Sequence, residues 1–136
     1  MSGTCRSADI LDPGLTVVQN VARSAPTATE NQIRAQLARF LFRGRRADQR
    51  AGTLSGGELF RAALATLLLA EPAPQLLLLD EPTNNLDMAS VRQLSGALRS
   101  YQGALLVASH DVPFLRGLGL TRWLRIEGEL ADIDPL

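Results

Sequence analysis

Asp80 and Glu81 end an apolar run, Leu76-Leu77-Leu78-Leu79, and are followed at once by Pro82-Thr83. An apolar run of this length, bounded by prolines and acids, reads as a strand buried on both faces, as in a parallel sheet. In an open α/β sheet, ligands bind beyond the carboxyl ends of the strands. Two carboxylates at such an end stand where a hard cation and a reacting group would lie. Mg²⁺ keeps several waters and takes one or two carboxylates plus phosphate oxygens, which suits Asp80. Glu81, one residue further on, can face an attacking water as its base. The plainer alternative is that Asp-Glu-Pro caps a strand and opens a turn.

Two further segments could do chemistry. Leu54-Ser55-Gly56-Gly57-Glu58 precedes a helical stretch. Glycines at a helix start let an anion approach free backbone N–H groups and the positive end of the helix dipole. Ser55 adds a hydroxyl. Ser55 and Glu58 also fit a capping box, which by itself stabilises a helix start by roughly 1 kcal/mol. A cap does not need two successive glycines, and that excess favours the anion reading. Ser109-His110-Asp111 follows the apolar run 104–108, and His110 is the only histidine. A lone histidine is more often structural. At the end of a second buried strand, however, it would share an edge with Asp80 and Glu81 and could donate a hydrogen bond to a terminal phosphate.

The elements that must position these residues follow from pattern. Asp12-Pro13-Gly14 is a turn signal after an irregular start. A short helix begins near Val17, and 24–29 is a polar loop. Ile33, Leu37 and Leu41 recur at helical spacing and predict a helix over 30–42. A helix over 56–70 ends at Pro72 and Pro74. A strand covers 75–79, and a helix over 88–99 has Met88, Val91, Leu94 and Leu98 on one side. A second buried strand covers 104–108, a short helix 113–118, and a hairpin turns at Glu127-Gly128. Helices first, then strand–helix–strand–helix–hairpin, implies an α/β fold with a helical section ahead of a mostly parallel sheet.

Composition sets the outer limits. The 136 residues are 46% hydrophobic, 21% charged and only 4% aromatic, which fits a soluble globular domain. Formal net charge is zero, so whole-chain electrostatics argue for neither nucleic acid nor membrane. All 14 basic residues are arginine. Cys5, the single cysteine, has no internal partner for a disulfide. The first residues have no apolar core of a signal peptide, and the longest apolar stretch, 62–70, is too short to span a bilayer. A cytoplasmic protein with no direct membrane insertion is the expectation. Arg34, Arg39, Arg43, Arg45, Arg46 and Arg50 face only Asp48 in the same stretch. That run is either a solvated face or a contact surface for RNA or an acidic partner.

The three chemical segments, in this order, resemble the ATP-binding cassette (ABC) family. LSGGE at 54–58 matches its signature motif and LLLLDEP at 76–82 its Walker B strand. Asn84-Asn85-Leu86-Asp87 matches its D-loop, and His110 its switch histidine. The Asn84-Asn85 doublet, and the run from Ile33-Arg34 through Phe40-Leu41-Phe42, look like the ABC-F branch, with PTNNLDMASV most similar to a second cassette. The resemblance covers roughly residues 11–134. It implies a partial cassette: a helical signature part at about 15–74, then a part at 75–136 with Walker B, D-loop and switch histidine.

The same resemblance implies ATP and Mg²⁺ as cofactors, with Asp80 on the metal and Glu81 and His110 catalytic. Ser55, Gly56, Gly57, Glu58, Asn85 and Asp87 would meet the nucleotide. In the family, two cassettes pair head to tail, so a second cassette is the implied partner, with ribosome or RNA as a further one through ABC-F. The family's phosphate loop, G-x-x-x-x-G-K-S/T, is not found, and the sequence has no lysine to complete it. The Q-loop glutamine expected ahead of Leu11 is not recognisable either. The expectation is a chain that starts partway through a cassette and is inactive alone. Leu59 departs from the polar or basic residue usual after the signature glutamate, while Arg61 fits the pattern. A transporter's ATPase subunit and a non-enzymatic module that pairs with a cassette are the alternatives.

Overall fold

The computed structural model describes residues 10–84 and 86–136. Cys5 and Asn85 lie outside the described residues. A turn at 12–15 is closed by Leu15 N donating to Asp12 O (3.1 Å). Asn20 sits fully buried behind it. Its Oδ1 accepts from Asp12 N (2.8 Å), and its amide donates to the carbonyls of Asp12 (3.1 Å) and Thr16 (3.0 Å). A buried amide is tolerated because its partners replace water.

Helix α1 (Val17–Ser24) and helix α2 (Glu30–Arg39) each start in a full capping box, Thr16 with Gln19 and Thr29 with Gln32. Helix α2 ends at Arg39, three residues short of the predicted end at 42. Leu41, the next residue in the i, i+4 series, takes a left-handed φ of 68°. The reversal there buries both Phe40 and Phe42, which a continuing helix would put on different sides. Two 3₁₀ turns, Gly44–Asp48 and Ala51–Thr53, lead to helix α3 (Gly56–Leu69). Residues 61–66 of α3 are all buried, so this helix is covered on every side over that turn and a half.

Strands β1 (Leu76–Asp80) and β2 (Ala104–Ala108) pair in parallel, with Leu76 opposite Ala104 and Asp80 opposite Ala108. Helix α4 (Met88–Ser100) connects them, and a short helix α5 (Val112–Arg116) follows. Strands β3 (Trp123–Glu127) and β4 (Glu129–Ile133) form a separate antiparallel hairpin, turning at Gly128 with φ 80°. Among the described residues the hydrophobic core draws on residues 11–118. It joins Val17, Val21, Ile33, Leu37 and Phe42 to Leu77, Leu94, Leu98 and Phe114.

The expected two-face burial of the strands is corrected by the structure. Leu77 is 4% exposed, but Leu76 is 50% and Leu106 is 56% exposed. Alternate residues of a strand face opposite sides. The Leu77 side joins the core, and the Leu76, Leu78 and Leu106 side is uncovered. Among the described residues, no helix is long and apolar enough to cross a membrane.

Candidate functional site

Parallel pairing brings the ends of β1 and β2 to one edge. Asp80 closes β1 and is exposed. The ladder continues one bond further, Glu81 N donating to Ala108 O at 2.7 Å. Glu81 then takes a left-handed φ of 46°. A non-glycine residue there stores strain of order 1–3 kcal/mol, held by the surrounding structure. The turn carries the Glu81 carboxylate toward the loop after β2, where Oε1 lies 3.7 Å from His110 Nε2. The imidazole is fully exposed. Its loop is fixed by two short-range bonds: Asp111 N donates to Ser109 Oγ (3.0 Å), and Asp111 Oδ1 accepts from Phe114 N (3.1 Å). Asp80, Glu81 and His110 therefore share one edge of the sheet, as the sequence predicts.

Among the described residues no group of three or more His, Cys, Asp and Glu side chains converges as a metal cage. Asp80 offers one exposed hard-oxygen donor at a strand end. That donor set fits an ion such as Mg²⁺, which draws the rest of its shell from water and phosphate.

The signature segment forms a second centre. Ser55 caps α3: Ser55 Oγ accepts from Glu58 N (3.3 Å) and Glu58 Oε1 accepts from Ser55 N (3.0 Å). The capping reading and the anion reading are thus both open to the same loop, since the box occupies the Ser55 and Glu58 amides and leaves those of Gly56 and Gly57 without an intrahelical acceptor. A Cβ at Gly56 would meet no atom of the described residues within 4 Å. Nothing in the fold demands glycine there, and the space in front of it is free. Leu59, the departure from the family pattern, packs against the core, and its N–H donates to Ser55 O at 2.7 Å.

Ser55, Gly56, Gly57, Glu58, Arg61, Leu86, Asp87 and Ser90 line a common cavity of about 450 Å³. Asp87 is there because it caps α4, its Oδ1 accepting from Ser90 N at 2.7 Å. Hydrogen bonding from the Ser90 side chain and then its amide, with the Arg61 charge behind them, holds its carboxyl below the usual range.

Arg61 is a residue whose task the sequence does not disclose. It is 8% exposed. Nη1 donates to Phe40 O at 2.7 Å, the guanidinium lies 5.1 Å from the Phe42 ring centre, and Nε is buried without a partner among the described residues. Burial lowers its pKa. It ties the end of α2 to the signature helix; the sequence offers only its match to the family pattern and its place three residues after Glu58 on one helix face.

Glu58 yields a pH prediction. Hydrogen bonds from the Ser55 amide and hydroxyl hold its carboxyl below the usual range. A depressed carboxylate contributes stability above its unfolded pKa and loses it as pH falls through the folded one. Stability should therefore decline from about pH 4 downward, the ordinary glutamate range. Ser55→Ala should lower the urea midpoint by the equivalent of about 1 kcal/mol at pH 7 and flatten that acid-side decline. An unchanged slope between pH 5 and 3 would mean the box does not bind the carboxylate.

The family model described as "ABC transporter" matches residues 2–84. "ATP-binding cassette sub-family F member 3" of Rattus norvegicus is 34% identical over 124 residues, 91% of this chain and 17% of that protein. "Probable ATP-binding protein YheS" of Haemophilus influenzae is 42% identical over 108 residues, 79% of this chain and 17% of that protein. The chain thus spans under a fifth of the length of these curated relatives.

Among solved structures, "RNase-L Inhibitor" superposes with a TM-score of 0.68 at 30% identity, over 88% of this chain and 24% of that one. A dimeric bacterial ABC transporter cassette, MJ0796, gives 0.63 at 25%, over 79% of this chain and 51% of that one. The order of the motifs, the parallel strand pair and these matches together assign the chain to the ATP-binding cassette family, with ABC-F proteins among its relatives.

Proposed function

We propose that the chain is the signature-bearing and hydrolytic part of an ABC-F-type ATPase cassette, with residues 15–74 the signature part and 75–136 the hydrolytic part. The observation that carries this reading is the shared edge of β1 and β2, where Glu81 N bonds Ala108 O and its carboxylate lies 3.7 Å from His110. Asp80 holds Mg²⁺, which when bound supplies charge stabilisation at the phosphate oxygens. Glu81 orients the attacking water and takes up its proton, and His110 donates a hydrogen bond to the terminal phosphate. Ser55, Gly56, Gly57 and Glu58, with Asn85 and Asp87, meet ATP gripped by a second cassette, and the free N–H groups at the start of α3 receive the anion.

The whole protein would then be a cytoplasmic ATPase with a role in translation or antibiotic resistance. The ABC-F relatives support this. So does a similar structure, an archaeal ribosome recycling factor in complex with a ribosomal stalk protein. A transporter's ATPase subunit is the second reading, favoured by the likeness to the MJ0796 cassette.

In either reading the grip on the β- and γ-phosphates comes from residues other than these, because the 136 residues contain no lysine for a phosphate loop. The isolated chain should therefore bind Mg-ATP no more tightly than millimolar. Titration calorimetry checks this, and a micromolar dissociation constant would overturn the division of labour proposed here.

A further inference from the structure

Arginines 43, 45, 46 and 50 lie within eight residues and are all exposed. The nearest acid in the sequence does not neutralise them. Both oxygens of Asp48 are taken by Arg34, at 2.6 and 3.2 Å, and Arg34 also binds Glu30 at 3.0 Å. None of the four forms an ion pair among the described residues.

The segment that carries them is held in place rather than free. Phe42, Ala47 and Ala51 are its anchors in the core. Val17 N donates to Gln49 O (3.0 Å), and Ala51 N donates to Leu15 O (2.9 Å). Arg45 and Arg46 lie in the 3₁₀ turn Gly44–Asp48, Arg43 is its extended N-cap, and Arg50 is the extended N-cap of the turn Ala51–Thr53. Arg46 also reaches the field of the signature helix, since its charge acts on both Glu58 and Arg61. A chain of zero formal net charge thus carries four guanidiniums, none in an ion pair among the described residues, on a backbone segment tied to the core.

We infer that this strap is a docking surface for the phosphate backbone of duplex RNA. Guanidinium forks match phosphate oxygens in pairs, and a fixed backbone reduces the ordering cost of each contact. The strap presents no exposed aromatic ring, since Phe40 and Phe42 are both buried. Unstacked bases are usually held on such rings, so the backbone of a duplex fits better than a single strand. An acidic protein would meet the same charge, and is the competing occupant. The inference rests on the translational side of the function proposed above.

The test is fluorescence anisotropy of the 136-residue chain with a labelled 20-base-pair duplex RNA of mixed sequence. Four phosphate contacts should give a slope of log K against log salt of about −3 to −4, a loss of about 10²-fold from 50 to 200 mM salt. Changing Arg43, Arg45, Arg46 and Arg50 together to Gln should weaken binding at 50 mM by about 30-fold or more and bring the slope near zero. Changing the exposed Arg92, Arg99, Arg116 and Arg125 to Gln removes the same charge and should weaken it less than about 5-fold.

Equal losses in the two quadruple variants would overturn the assignment. So would tighter binding to a single-stranded oligouridine, or to polyglutamate of matching charge. Circular dichroism melts confirm that both variants fold. Ribosome co-sedimentation runs alongside. Strap-dependent RNA binding without co-sedimentation supports the surface and counts against the translational reading.

Discussion

Glu81→Gln, in this chain joined to the phosphate-loop half of a relative's cassette, is expected to slow hydrolysis by about 10²–10⁴-fold, the usual share of a general base. ATP affinity should stay near that of the unchanged chimera. Glutamine keeps the size of the side chain and its hydrogen-bonding reach, and removes only the charge that accepts a proton. Its backbone should hold as well, because the left-handed turn at φ 46° is secured by the bond from residue 81 N to Ala108 O. The effect should thus fall on the chemical step. Asp80, one residue earlier, ends the paired strand and is exposed. Asp80→Asn should weaken the dependence on Mg²⁺ rather than remove the base. Single-turnover hydrolysis with parallel binding measurements separates the two. A Glu81→Gln protein with unchanged turnover would reduce this carboxylate to the end of a strand.

Phe42→Ala should cost about 3–5 kcal/mol, the usual range for a buried phenylalanine. Phe42 is 1% exposed and among the largest fully buried side chains. It also lies under Arg61, 5.1 Å from its ring centre. Truncation leaves a cavity and a buried guanidinium with one protein partner, the Phe40 carbonyl. Small domains are stable by roughly 5–15 kcal/mol, so the variant should lose a large share of its stability and unfold at a clearly lower urea midpoint. Phe42→Leu restores much of the volume without the ring and should cost less. Urea unfolding followed by circular dichroism reads both. A loss under about 1 kcal/mol for Phe42→Ala would mean that α2 and α3 do not depend on this contact.

Local signals carry most of the element list. The Ser55–Glu58 box, the prolines at 72 and 74, and the apolar runs at 76–79 and 104–108 are short-range features, and each appears in the structure where the sequence places it. What the sequence hides is set at a distance. Helix α2 stops at Arg39 although Ile33, Leu37 and Leu41 keep the helical spacing, because burying Phe40 and Phe42 together requires the turn at Leu41. A run of four leucines looks the same whether one side of the strand is covered or both. Only the packing of Leu77, with Leu76 and Leu78 left open, distinguishes them. At the site, the shared edge of Asp80, Glu81 and His110 is legible, since parallel strands bring their ends together. The cavity joining Glu58 to Asp87, and the burial of Arg61 against a carbonyl 21 residues earlier, are tertiary facts with no local signature.

The most direct test of the catalytic assignment is a Mg²⁺ titration of single-turnover ATP hydrolysis in the completed cassette, run on the unchanged protein, Asp80→Asn and Glu81→Gln. The division of roles predicts that Asp80→Asn moves the half-saturating Mg²⁺ concentration upward. Glu81→Gln should leave that midpoint in place and lower the plateau by about 10²–10⁴-fold. Midpoints that shift equally in both variants, or a Glu81→Gln plateau equal to that of the unchanged protein, would contradict it.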